Sequence, residues 1–103
     1  MPLSMSRLEQ YLRRPPVSSA DIVDRLEILR ANKKVSSIVD LDEGSVIVTN
    51  TPLGMDDAKL MLRRLGLGDP KYSNTFNGGD FSFDFPVGSE RYNIVVYYFG
   101  SRS

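Results

Sequence analysis

The sequence predicts an α+β domain of order ααββαββ: two N-terminal helices, a β-hairpin, a third helix and a second β-hairpin, forming a four-stranded, mainly antiparallel sheet packed on helices. Three observations lead there. Apolar residues from Leu8 to Leu29 recur at helical spacing, and from Val35 to Thr49 the period shortens to two. The last quarter, Asp80 to Gly100, holds an alternating row and a continuous apolar run on either side of a short turn.

Ser6 followed by Glu9 is a capping box, after which Leu8, Tyr11 and Leu12 continue a helical stripe to Arg13-Arg14. Pro15-Pro16 stops that helix, because the first ring disfavours helical geometry at Arg14 and neither proline nitrogen donates a hydrogen bond. The chain of 103 residues is read as one domain, with residues 1–16 a loosely attached arm. Ser18 or Ser19 caps the second helix, in which Ile22, Val23, Leu26 and Leu29 form the apolar stripe. Asp24, Arg25, Glu27 and Arg30 are expected to face away, and the helix to end near Asn32.

Val35, Ser37, Val39 and Leu41 alternate with Ser36, Ile38 and Asp40, and Val46-Ile47-Val48-Thr49 is β-branched throughout. Asp42-Glu43-Gly44 between them spells a hairpin tip with glycine near the left-handed region. Thr51-Pro52 has the form of a cap and first helical residue, although Gly54 favours a start nearer Met55. Ala58, Met61, Leu62 and Leu65 supply that helix's buried face, and Gly66-Leu67 is a helix-ending glycine followed by an apolar residue that packs back. Gly68 to Asp80 is polar, contains Asp69-Pro70 and Gly78-Gly79, and reads as a loop.

In the closing hairpin Phe81, Phe83 and Phe85 alternate with polar residues, as in a half-buried strand. Tyr92 to Phe99 is apolar on both faces, as in a strand covered on two sides. That strand needs two neighbours, and only the preceding strand is evident. If it lies outermost, its free edge is open to pairing.

Composition removes several classes of chemistry. Without Cys there are no disulfides or thiolate sites, and without His the commonest metal ligand and the usual neutral-pH base are missing. Thirteen basic and thirteen acidic residues balance, so no whole-chain field favours nucleic acid. The longest apolar runs are far shorter than a membrane span and residues 1–10 lack a signal-peptide core, so a cytoplasmic protein without membrane attachment is expected.

Candidate sites are few. Arg13-Arg14, Lys33-Lys34 and Arg63-Arg64 end the three helices, where cations complement the macrodipole; if they converge, they make a basic patch for phosphate backbones. Asp40, Asp42 and Glu43 begin like a calcium loop, but a strand follows where further ligands are needed, so they read as turn formers. Asn77-Gly78-Gly79-Asp80 lacks the following helix and Lys of a phosphate loop. The phenylalanine row could stack bases, yet Asp80 and Asp84 would repel phosphates, and core packing explains the row better.

No cofactor and no metal are implied, and no catalytic residues are assigned. The expected function is a non-enzymatic protein-binding module, a regulator, adaptor or inhibitor of a size that suits a phage or mobile element. It would act through Tyr92, Val95, Tyr97, Tyr98 and Phe99 on a protein partner or a second copy. The alternative is nucleic-acid binding through the basic pairs. A third option is an enzyme using Asp or Glu, such as Asp42 and Asp57, with the Tyr phenols.

Overall fold

The computed structural model describes residues 10–77 and 79–99, so the Ser6–Glu9 capping box and Gly78 lie outside the described residues. Residues 10–13 are helical and stop before Pro15. Helix α1 (Ser19–Leu26) begins at Ser18, whose extended backbone and Oγ, accepting from the Asp21 N–H at 3.2 Å, form an N-cap. It tightens into a 3-10 turn (Glu27–Ala31) that ends at Asn32. Helix α2 (Met55–Arg63) starts at Met55, after Gly54.

The sheet differs from the expected one. It has five strands in the order β1-β2-β5-β4-β3 and is mixed, with β1 (Val35–Asp40), β2 (Gly44–Thr49), β3 (Tyr72–Phe76), β4 (Asp80–Val87) and β5 (Glu90–Tyr98). The segment read as a polar loop contains β3, antiparallel to β4 from Tyr72↔Asp84 to Phe76↔Asp80. The second neighbour that β5 required is β2, which it meets in parallel from Gly44↔Asn93 to Thr49↔Tyr98. Because the chain leaves β2 through α2 to the far edge and returns through β3 and β4, β5 inserts last, between β4 and β2. It is an interior strand, and edge-to-edge pairing is therefore closed to it.

Both helices cover the same face. Ile22, Leu26 and Leu29 from the α1 side and Ala58, Met61, Leu62 and Leu65 from α2 share one core with Ile38, Ile47, Phe81, Phe83, Phe85, Ile94 and Val96. The phenylalanine row is thus core, its rings 6.2 and 6.5 Å apart. In β1 an irregularity between Val35 and Ser37 shifts the alternation, so Val35 and Ile38 turn inward and Val39 outward.

Gly44 is not in the left-handed region, contrary to expectation. A side chain is excluded there by packing: a Cβ would lie 2.1 Å from the Asn93 carbonyl oxygen, where β2 and β5 run together. Gly66 combines both reasons, with φ of +76° and a Cβ position 1.7 Å from the Leu12 oxygen.

Arg25 does not face away. It is 1% exposed, and its guanidinium gathers the C-terminal ends of two helices: Nη1 donates to the Leu65 and Gly66 carbonyls at 3.2 and 3.1 Å, Nη2 to those of Tyr11 and Arg14 at 3.3 and 2.6 Å. Carbonyls at helix ends are otherwise unpaired and carry the negative pole of the dipole, which suits a buried cation. The Tyr11 ring lies 4.7 Å from the guanidinium carbon, and the Asp21 carboxylate is 3.7 Å from Nε.

Candidate functional site

With the helices on one side, strand alternation decides what the other side presents. Val39 of β1, Val46 and Val48 of β2, and Val95 and Tyr97 of β5 all point away from the core and are half-buried or exposed. Register brings them together: Val39 pairs with Val46, Val46 with Val95, and Val48 with Tyr97. Leu41 and Phe99 extend the strip beyond the strand ends and are 59% and 70% exposed. The Tyr97 and Phe99 rings meet edge to face at 6.5 Å. This strip carries no ionised side chain, and among the described residues no helix covers it.

Each end of the strip opens into a hollow. One, of about 700 Å³, is bordered by Ser37, Val48, Asn50, Tyr97 and Phe99; the other, of about 580 Å³, by Leu41, Val46, Val95, Asn93 and the acidic tip Asp42-Glu43. Toward β4 the face turns polar. There the Asn93 side-chain amide donates to Ser82 Oγ at 2.8 Å and to Asp84 Oδ1 at 2.9 Å, locking β5 to β4.

The five residues expected at an interface are divided by this geometry. Val95, Tyr97 and Phe99 lie on the open face. Tyr92 is in the core, 3% exposed, its hydroxyl 2.5 Å from Ser45 Oγ, which in turn donates to Asp40 Oδ1 at 3.0 Å; it is unavailable to a partner. Tyr98 has the parity of the helix-covered face, with Thr49 as its register partner, and at the strand end both also border the hollow shared by Val48, Tyr97 and Phe99. Reading from sequence missed Val46 and Val48, whose β-branched row already pointed to a strand but not to which strand lay beside it.

The basic pairs are exposed at helix ends, as their positions imply. Arg25 draws the Arg14 and Leu65 carbonyls onto one guanidinium, so the Arg13-Arg14 and Arg63-Arg64 backbones approach each other. Arg64 and Lys34 both border a groove of about 720 Å³ on the helical side, with an apolar floor of Ile28, Leu53 and Leu60, but Asp57 borders it too. Arg63 is paired with Asp69. The resulting surface is mixed in charge.

Asp42 borders the open face and Asp57 the helical groove, so these carboxylates do not share a site. Among the described residues no three acidic side chains converge as metal ligands would. The two resolved pKa shifts belong to the Arg25 surroundings. Asp21 is held below its ordinary value chiefly by the hydrogen bond from the Tyr11 hydroxyl, and Tyr11 is raised by the same bond. No helix among the described residues is long and apolar enough to cross a membrane. No family model, curated protein or solved structure matches this chain.

Proposed function

We propose that this protein is a non-enzymatic binding module, a regulator, adaptor or inhibitor, that engages a protein partner through the open face of its sheet. The observation supporting this reading is the uncharged strip Val39, Leu41, Val46, Val48, Val95, Tyr97 and Phe99, opposite the face that both helices cover. Isolated exposed apolar residues are ordinary, but a contiguous strip flanked by polar residues is the composition of an interface core.

Magnitudes show why the whole strip is needed. Burying one large aliphatic or aromatic side chain fully is worth about 1.5–3 kcal/mol. Losing rigid-body freedom costs at least roughly 4 kcal/mol. One anchor therefore cannot hold a partner, whereas several acting together do. Phe99 and Leu41, the most exposed, have most to gain.

The test compares charged substitutions on the two sides. A partner captured by the wild-type protein should be lost on Val48→Lys and retained by Leu60→Lys, a control on the helical side, while both variants unfold at wild-type temperatures. Retention by Val48→Lys would contradict the reading.

A second reading, nucleic-acid binding, draws on the approach of the Arg13-Arg14 and Arg63-Arg64 backbones around Arg25. It requires affinity that falls steeply with salt, through counterion release. DNA and RNA binding measured across a salt series separates the two.

A further inference from the structure

The two edges of the sheet are treated differently. Unpaired strand edges invite pairing with other chains, and proteins blunt them with charges, proline, bulges or a covering element. Edge strand β1 is guarded: its pairing with β2 is irregular between Val35 and Ser37, Lys33 and Lys34 precede it, and Asp40 ends it. Edge strand β3 is flanked by Pro70 and Lys71, but among the described residues none of these devices lies within the strand itself. Tyr72-Ser73-Asn74-Thr75-Phe76 contains no charge and no proline, its register with β4 is unbroken, and among the described residues no strand lies beyond it.

The composition of β3 is also symmetric about its centre. An aromatic residue stands at each end, a hydroxyl residue inside each, and an amide in the middle. Two copies paired antiparallel about a two-fold axis through Asn74 bring Tyr72 opposite Phe76 of the second copy, Ser73 opposite Thr75, and Asn74 opposite Asn74. The aromatic and the hydroxyl pairs are favourable cross-strand combinations, each on its own face of the sheet. The aromatic residues have surface to bury, Tyr72 being 52% and Phe76 36% exposed. Lys71 falls opposite Asn77, so no like charges meet.

We infer that β3 is a homodimerisation edge, and that a second copy of this chain is its occupant. This pairing is isologous and closes at two subunits. With the axis perpendicular to the sheet, both helical layers lie on one side and the two open faces join on the other. The resulting sheet is twice the five-stranded one. The inference does not depend on what the open face binds.

The test is mass in solution by sedimentation, on the full chain. The wild-type protein is expected to be a dimer. Asn74→Lys, which sets two ammonium groups against each other at the axis, should be monomeric at the same concentration and still unfold cooperatively, at a temperature lowered by the loss of association. Because the chain has no Cys, Asn74→Cys supplies a unique thiol and should form a disulfide-linked dimer on mild oxidation, while Ser36→Cys on β1 should not. A monomeric wild-type protein would overturn the inference. So would a dimer that survives Asn74→Lys but dissociates with Val48→Lys, an outcome that would leave the open face as the binding surface.

Discussion

Arg25 shows how one side chain organises the helical layer. A buried guanidinium is costly unless its donors are satisfied; here four carbonyls from two helix ends receive Nη1 and Nη2, while Nε makes no hydrogen bond and has the Asp21 carboxylate at 3.7 Å. Tyr11 contributes twice, by its ring against Arg25 and by its hydroxyl to Asp21. The two shifted groups fix the direction of pH dependence. Asp21 is depressed below its ordinary 3.8, so its stabilisation is complete above that value and is lost as pH falls through the lower folded-state pKa. Tyr11 is raised above its ordinary 10.0, so its contribution is complete below that value and is lost as pH rises through the folded-state pKa. Tyr11→Phe keeps the ring and removes the hydroxyl. Denaturant unfolding across pH should therefore show a smaller loss of stability below pH 3.8 and a smaller loss above pH 10.0 than wild type. From the sequence, Arg25 looked like one more polar residue opposite the apolar stripe. Its burial follows from the meeting of helix ends that are distant in the chain, which helical spacing does not encode.

Among the elements, β1, β2, β4, β5 and both helices were legible because each carries an apolar period or an unbroken β-branched or apolar run. The double-sided run of β5 correctly required two neighbours. The missed strand, β3, lies at an edge and its inward residues, Ser73 and Thr75, are polar, so the alternation that reveals half-buried strands is absent. The parallel β2–β5 junction was equally hidden, since sequence separation between its strands is long. Its tight point is Gly44. Gly44→Ala places a methyl 2.1 Å from a backbone oxygen that cannot move without parting the strands. It should destabilise by about 2 kcal/mol or more, in the range of other strained or overpacked sites. Gly54→Ala, whose Cβ meets nothing nearer than Asp57 Oδ2 at 4.0 Å, should change stability by less than about 1 kcal/mol, because restriction of the unfolded chain offsets the poorer N-cap that Ala makes for α2. Equal effects at the two glycines in chemical denaturation would contradict the close-packed junction.

For the whole molecule, the decisive fact is the one-sided helical layer. The apolar character of both faces of β5 is evident in the sequence, but the choice between a three-layer monomer and an open sheet depends on where the first helices pack. Arg25 ties the end of the first helical turn to the end of α2, and Ile22, Leu26 and Leu29 share the core of Phe83 and Ile94, placing both helices together. The functional reading stands or falls on the consequence, that one side of β2 is open and the other closed. Single cysteines in this Cys-free chain test it most directly: the labelling rates of Ile47→Cys and Val48→Cys, adjacent residues on opposite faces of β2, measured on the folded protein with a small thiol reagent. Rapid labelling at position 48 and protection at position 47 until unfolding is the predicted result; equal protection at both positions would contradict an open face.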